Sequence, residues 1–349
     1  MAESTYEMVQ DYYGKVLGSS DDLKTSACCS TDSVPAHIRA IIADLEPAIV
    51  DKFYGCGSPI PPALEGCTIL DLGCGTGRDV YVCAKLVGPE GHVIGLDMTD
   101  EQIGEARKHE AAQMARFGYA SSNVTFVQGY MEDLATAGIA DSSVDVVISN
   151  CVINLSPNKA QVIREIARVL KPGGELYFSD VFADRRLPVA LQSDPVLLGE
   201  CLAGALYLED FRRILADCGI RDYRETTRRV MTIDDVAIAA KLGAATFSSV
   251  TVRAFKIDSL EDRCEDYGQA ARYRGTIAHE PCGFALDDQH YFSAGKPVPV
   301  CGNTAAILSE TRFAPHFDVF GDRSNHVGLF DLREIPAPSG DGSGSSCCC

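Results

Sequence analysis

The sequence has no run of about 18 consecutive apolar residues, the length that a membrane-spanning helix requires. Its start, MAESTYEMVQ, has neither the basic segment nor the apolar stretch of a secretory signal. Positive charge is scarce, because 31 Lys and Arg stand against 49 Asp and Glu, for a net charge of −18. We therefore expect a cytoplasmic protein that binds neither membrane nor nucleic acid. Such a surface suits a neutral or cationic small substrate, although solubility alone also explains it.

The pattern of cysteine and histidine excludes other site types. The fifteen cysteines form no C-x-x-C pair, so a structural zinc site is not indicated. Their odd number and irregular spacing argue against a permanent disulfide framework. The seven histidines offer no obvious catalytic cluster, and no internal repeat is visible. We expect a mixture of buried structural thiols and a few reactive ones.

A glycine-rich turn, LDLGCGTG, follows the apolar strand that is predicted for residues 68–72. A helix-compatible run from Arg78 to Val87 comes next. Glycines at a strand-to-helix turn allow a ligand to approach the backbone closely, and the helix N-terminus adds N–H donors and partial positive charge. Because glycines also form ordinary turns, this loop alone is weak support for a nucleotide site.

Further strands alternate with helices along the next hundred residues. The strands are predicted in 92–99, 123–134, 144–150 and 169–180, the last after a Pro-Gly-Gly turn. A helix-compatible run follows the second strand, and Thr99 or Asp100 can cap it. Another follows the fourth strand, where Ser156 can be the cap and Pro157 the first helical residue. Alternating strands and helices predict a parallel, doubly wound α/β sheet with its ligand site at the C-terminal strand edge.

This order of elements resembles the class I S-adenosylmethionine-dependent methyltransferases. The matching motifs are LDLGCGTG with G-x-G-x-G spacing, an acidic end to the second strand, an acidic loop after the third, and LKPGG before the fifth. An α/β domain for another nucleotide is the alternative. The resemblance implies that S-adenosylmethionine is bound at its methionine end by the glycine loop, at the ribose by Asp97, and around the adenine by Met98, Met131 and Glu132. The implied residues are Asp71, Gly73, Cys74, Gly75, Gly77, Asp97, Met98, Met131, Glu132 and Asn150.

Three cysteines far apart in sequence belong to segments that can meet over this cleft: Cys56, Cys151 and Cys201. Converging thiolates suit a soft, thiophilic centre such as trivalent arsenic, which takes three sulfur ligands and keeps a lone pair. That lone pair attacks a methyl group without a general base. A single cysteine at a strand end is, however, usually a small buried hydrophobe.

The strings DYYGKVL, YGCG, SNCVINL and GECLAGALY resemble the arsenite S-adenosylmethionine methyltransferases over about residues 11–255. This resemblance implies As(III) ligands at Cys56, Cys151 and Cys201, and a disulfide-forming N-terminal cysteine at Cys28, with Cys29 beside it as the alternative. Tyr54 is a candidate to contact the sulfonium. The resemblance implies stepwise methylation of arsenite for detoxification, with thioredoxin or glutathione as thiol reductant. We expect a monomer.

Four regions are predicted: an arm and cofactor domain (1–206), a small α+β substrate domain (207–262), a small β-rich module (263–336) and a disordered tail (337–349). Structural support or thiol delivery of arsenic are the alternatives for the β-rich module. Two rival functions stay open at this point. One is a small-molecule C- or O-methyltransferase, and the other is a non-catalytic thiol protein that binds metalloids.

Overall fold

The computed structural model describes residues 34–50, 59–192, 194, 196–197 and 201–330. Its main feature is an eight-stranded sheet in the order β3-β2-β1-β4-β5-β8-β7, with β6 paired to β5. The strands of this sheet are β1 (Thr68–Leu72), β2 (His92–Asp97), β3 (Val124–Gln128), β4 (Val144–Asn150), β5 (Leu170–Ala183), β6 (Leu206–Tyr207), β7 (Tyr223–Val230) and β8 (Phe247–Phe255). The first five are mutually parallel, which confirms the predicted doubly wound α/β fold.

Helices cover both faces of this sheet. They are α1 (Ala36–Ala43), α2 (Pro47–Val50), α3 (Arg78–Val87), α4 (Asp100–Phe117), α5 (Lys159–Val169), α6 (Leu208–Asp217) and α7 (Val236–Leu242). One buried cluster joins α3 and α4 to one face, and a second joins α5 and α6 to the other. Because parallel strands have both faces covered, their sequences are almost wholly apolar.

The segment after residue 207 contains the two helices and two strands that its sequence predicts. Its strands do not build a sheet of their own, since β8 pairs antiparallel with β5 and β7 pairs antiparallel with β8. The segment therefore extends the cofactor sheet at one edge.

The predicted cap of α5 is wrong. Helix α5 begins at Lys159, and Asn158 is its N-cap, with a side chain that accepts a hydrogen bond from the Gln161 N–H at 3.2 Å. A 3₁₀ turn at Ile153–Leu155 and an extended backbone at Ser156 delay the start of the helix. The Ser156 hydroxyl is instead bonded to Glu132. Thr99 does lie at the N-cap of α4, although its side chain makes no cap hydrogen bond.

The C-terminal unit is β-rich, as predicted, but it also contains a helix that the sequence reading missed. Its elements are β9 (Glu265–Asp266), β10 (Gln269–Tyr273), β11 (Gly283–Ala285), β12 (Tyr291–Ser293), β13 (Pro297–Val300), α8 (Gly302–Glu310), β14 (Phe317–Phe320) and β15 (Gly328–Leu329). Arg253 of β8 joins the sheet to this unit, because its guanidinium is bonded to Glu175 at 2.6 Å and to the Leu286 carbonyl at 2.5 Å.

Among the described residues, no helix is long and apolar enough to cross a membrane.

Candidate functional site

The glycine loop lies between the C-terminal end of β1 and the start of α3. The φ angles of Gly73, Gly75 and Gly77 are +72°, +54° and +87°. Residues that carry a Cβ rarely adopt such left-handed backbone angles. A Cβ at Gly73 would lie 2.4 Å from Val152, whereas the nearest side chain of the described residues to a Cβ at Gly75, that of Gln102, is 4.0 Å away. The loop is therefore packed at its start and open at its centre, as a backbone cradle for a ligand requires.

Cys74 of this loop faces the core rather than the cleft. Its side chain is 9% exposed, and its sulfur would lie 2.9 Å from a Cβ added at Gly95 of β2. Burial raises the pKa of this thiol well above its ordinary value. Its sulfur is therefore a packing group.

Three carboxylates surround the loop. Asp97, at the end of β2, accepts hydrogen bonds from the N–H of Gly75 at 3.0 Å and of Thr99 at 2.9 Å. Burial, followed by the charges of Asp79 and Asp97, raises the pKa of Asp71 well above its ordinary range. Burial likewise raises the pKa of Asp97, against those two hydrogen bonds. Such a cluster has a deficit of positive charge and fits a cationic ligand.

Asp79 is a site residue that the sequence reading missed. It is 4% exposed in the first turn of α3, pairs with Arg78 at 2.7 Å, and accepts a hydrogen bond from Asn150 Nδ2 at 3.2 Å. This bond ties the end of β4 to the glycine loop. Its position two residues after Gly77 in GTGRDV was the available signal.

The residues assigned to the adenine lie on neighbouring loops. Met98 is partly buried against the apolar cluster that contains Cys151 and Cys201. Met131 packs on the cluster that joins α5 and α6 to the sheet. The Glu132 side chain is held by the Ser156 hydroxyl, and its carbonyl accepts a bond from Gln161 at 3.2 Å.

Cys151 and Cys201 come together directly after β4. The Cys201 Sγ lies 3.3 Å from the Cys151 carbonyl oxygen, and both residues are 4% exposed in one apolar cluster. Both have left-handed backbones, with φ of 58° and 60°. Such a conformation costs a non-glycine residue about 1–3 kcal/mol and persists only where the surroundings enforce it. Cys151 is disulfide-bonded.

A buried polar network supports this pair. Asp180 lies near the C-terminal end of β5. Its carboxylate accepts hydrogen bonds from the N–H of Asn154 at 3.1 Å and from Nδ2 of Asn154 at 2.7 Å. The Asn154 carbonyl packs tightly on the chain just after Cys201, because a Cβ added at Gly204 would lie 1.9 Å from the carbonyl oxygen. Burial raises the pKa of Asp180 to about 7 and lowers the pKa of Lys159, which faces both Asp180 and Cys201.

Four of the predicted site residues, Cys28, Cys56, Tyr54 and the alternative Cys29, lie outside the described residues. Ile49 of α2 lies beside the glycine loop, because the Thr76 hydroxyl donates to its carbonyl at 2.9 Å.

Comparisons with known proteins agree with this architecture. Residues 63–219 match the family model described as a methyltransferase domain, and residues 268–327 match that of the arsenite methyltransferase C-terminal domain. An arsenite methyltransferase from Aquipseudomonas alcaligenes is 53% identical over 93% of this chain and 94% of its own length. The human arsenite methyltransferase is 44% identical over 94% of this chain and 88% of its own.

A solved structure extends the likeness to three dimensions. The arsenic(III) S-adenosylmethionine methyltransferase from Chlamydomonas reinhardtii superposes with a TM-score of 0.83 at 51% identity, covering 86% of this chain and 100% of that one. Identity at this level over nearly the whole chain confirms the resemblance predicted from the cysteine-bearing strings. The chain belongs to the arsenite methyltransferase family.

Proposed function

We propose that this chain transfers methyl groups from S-adenosylmethionine to thiol-bound trivalent arsenic, first giving a monomethyl and then a dimethyl arsenical. Membership of the arsenite methyltransferase family supports the reaction. The observation that carries the site is the convergence of Cys151 and Cys201 in strained backbone conformations. The protein is then a cytoplasmic, monomeric detoxification enzyme.

The carboxylate cluster fits the cofactor. S-adenosylmethionine supplies an electrophilic methyl group on a positively charged sulfonium. The carboxylates of Asp71, Asp79 and Asp97 would offset the charge of that sulfonium. Burial raises the pKa of Asp71 and Asp97, so a nearby cation would stabilise their ionised forms. Asp97 is the proposed acceptor for ribose hydroxyls, since its carboxylate is fixed beside the glycine loop by the N–H groups of Gly75 and Thr99. Asn150 holds Asp79 in place from the neighbouring strand.

The adenine assignment rests on apolar side chains flanked by one carboxylate. Met98 and Met131 provide polarisable, apolar surfaces on two loops, which suits a flat aromatic ring. Glu132 is oriented by Ser156. Tyr54 is our candidate for the contact with the sulfonium.

Cys56, Cys151 and Cys201 are the proposed arsenic ligands. Trivalent arsenic with three sulfur neighbours keeps a lone pair, so the attack on the methyl carbon requires alignment and no proton acceptor. The apolar cluster around Cys151 and Cys201 keeps water from the arsenic–sulfur bonds.

A thiol reductant completes the proposed cycle. The disulfide at Cys151 leaves that sulfur unable to bind arsenic until it is reduced. Two thiols of glutathione or thioredoxin return the disulfide to two cysteine thiols and are themselves oxidised to a disulfide. If a pentavalent arsenical forms, a cysteine pair reduces it to the trivalent state and becomes a disulfide, and we assign Cys28 and Cys56 to this role. Cys29 is the alternative to Cys28.

The proposal is tested with arsenite, excess reductant and methyl-labelled S-adenosylmethionine, followed by separation of the arsenic products. We expect Cys151→Ser and Cys201→Ser to abolish methylation, and Cys28→Ser and Cys56→Ser to spare the step that starts from methylarsenite. Cys67→Ser is the matched control. Cys67 is also buried, at 7% exposed, but it belongs to the core cluster that joins α3 and α4 to the sheet. Full arsenite turnover by Cys151→Ser would refute the ligand scheme.

A further inference from the structure

A second pair of cysteines meets in the C-terminal unit, away from the methyl-transfer site. Cys301 is the N-cap of α8 and is 0% exposed. Its sulfur accepts a hydrogen bond from the Thr304 N–H at 3.4 Å and lies 3.3 Å from the Thr304 hydroxyl. Nothing in the proposed methylation scheme uses this thiol.

Asn303 brings the second thiol to the same place. Its Oδ1 accepts from the Glu261 N–H at 2.9 Å, and its Nδ2 donates to the Glu261 carbonyl at 2.8 Å. The chain at 261–264 is thereby fixed across the start of α8. Interaction between the two thiols raises the pKa of Cys264 and lowers that of Cys301. Cys264 is partly exposed, so the pair is open to solvent on one side.

Arg224 of β7 supplies positive charge behind the pair. Its Nη1 donates to the Thr304 hydroxyl at 2.9 Å and to Asp287 at 2.9 Å, and its Nη2 donates to Asp222 at 3.0 Å. The neighbouring Cys264, assisted by Arg224 against the effect of burial, lowers the pKa of Cys301 to about 5. A thiolate is the nucleophile that attacks soft electrophiles.

We propose that Cys264 and Cys301 form a dithiol site that binds a trivalent monomethyl arsenical. The identity of the ligand rests on the proposed function. Trivalent arsenic forms three bonds, so two sulfur atoms and one methyl group complete its coordination. Among the described residues, no group of three or more Cys, His, Asp and Glu side chains could hold a metal ion, so the pair offers two ligands.

The binding step is a condensation without redox change. Methylarsonous acid, CH3As(OH)2, reacts with the two cysteine thiols to give CH3As(S–Cys)2 and two molecules of water. Each arsenic–oxygen bond that breaks is replaced by one arsenic–sulfur bond, and each hydroxide leaves with one proton. The Cys301 thiolate takes the first bond with a proton from solvent, and Cys264 provides the second with its own proton.

The test uses the reduced full-length chain carrying Cys151→Ser and Cys201→Ser, incubated with methylarsonous acid without cofactor. Alkylation followed by peptide mass spectrometry then measures the labelling rate of each remaining cysteine. We expect Cys264 and Cys301 to lose labelling together by tenfold or more as the arsenical saturates. A further Cys264→Ser or Cys301→Ser change should remove that protection from the surviving partner, whereas Cys218→Ser should leave it intact.

Unchanged labelling of both cysteines, or full protection in either single variant, would overturn the proposal. So would oxidation of the pair to a disulfide without an arsenic adduct. Circular dichroism checks that each variant is folded, and Thr304→Val provides a second variant that keeps both sulfurs and should keep the protection. The outcome is separable from the proposed function, since arsenite methylation by the unmodified chain is measured independently. Methylation without protection refutes only the second site.

Discussion

Two pairs of cysteines in this molecule approach each other by different physical means. Cys151 and Cys201 lie in an apolar cluster, and left-handed backbones at both residues hold them at the sheet edge. Cys264 and Cys301 lie at a helix N-terminus, where the Asn303 side chain, Thr304 and Arg224 hold and polarise them. The first pair is positioned by backbone strain and packing, and the second by hydrogen bonds and charge.

The difference bears on how a chain rich in cysteine keeps its thiols distinct. Burial raises the pKa of Cys67 to about 11 and the pKa of Cys83 well above its ordinary value, so these thiols stay protonated and inert. At Cys301, donors and a cation outweigh burial and lower the pKa. Surroundings, and not the number of cysteines, therefore decide which sulfurs react.

The largest expected effect comes from breaking the packing that positions the first pair. A Cβ at Gly204 would lie 1.9 Å from the Asn154 carbonyl oxygen, which belongs to the backbone and cannot swing aside. We expect Gly204→Ala to destabilise the fold by about 1–3 kcal/mol and to reduce arsenite methylation by more than tenfold, since Cys201 is displaced. Urea unfolding and the methylation assay measure the two effects.

Gly104→Ala is the matched control. This glycine lies inside α4, and a Cβ there meets no atom of the described residues within 4 Å. We expect it to stabilise the chain by roughly 0.4–1 kcal/mol, because alanine has fewer unfolded conformations to lose. Equal behaviour of the two variants would refute the positional role of Gly204.

The network behind the first pair should give the chain a distinctive pH dependence. Burial raises the pKa of Asp180 to about 7, above the value for an unfolded chain, so the folded state binds its proton more tightly. The resulting stability is present at low pH and is lost as pH rises through 7, by about 2 kcal/mol between pH 5 and pH 7. Asp180→Asn should flatten this part of the unfolding profile, whereas Asp258→Asn, at an exposed position, should not. An unchanged slope in Asp180→Asn would contradict the assignment.

The carboxylate cluster predicts a smaller effect on cofactor binding. Asp79→Asn keeps the shape of the side chain and removes a carboxylate whose charge acts on Asp71 beside the glycine loop. We expect S-adenosylmethionine to bind about tenfold more weakly, or about 1.4 kcal/mol, as measured by calorimetry. S-adenosylhomocysteine, which lacks the sulfonium charge, should lose less. Equal losses for both ligands would show that the charge does not matter there.

The smallest effect is spectroscopic and concerns the second pair alone. Since the pKa of Cys301 is lowered to about 5, one thiolate should form below neutral pH in the folded chain. We expect an ultraviolet thiolate absorbance step near that pH, absent in Cys301→Ser and retained in Cys67→Ser. A step that survives Cys301→Ser would assign the thiolate to another sulfur.

Local patterns in the sequence were sufficient to predict most of the fold. Strand and helix alternation predicted β1 to β5, and α3 was placed at its observed bounds, because apolar periodicity and the glycine turn act over a few residues. The cap of α5 was misplaced, since the 3₁₀ turn before Ser156 depends on tertiary contacts. Helix α8 was missed because its apolar residues form no amphipathic stripe and are buried almost all round.

The site was less accessible to sequence reasoning. Asp180 and Asp79 become informative only when burial and partners are known. The meeting of Cys264 and Cys301 depends on how Asn303 fixes a distant segment, which no local pattern reveals. The convergence of Cys151 and Cys201 was anticipated from strand order, but their left-handed backbones were not.

X-ray absorption at the arsenic edge shows whether Cys151 and Cys201 hold the arsenic. The sample is the reduced full-length chain with Cys264→Ser and Cys301→Ser, loaded with less than one equivalent of arsenite. We predict three sulfur neighbours around arsenic, and a lower sulfur count after the additional change Cys201→Ser but not after Cys67→Ser. An unchanged sulfur count in Cys201→Ser would contradict the account.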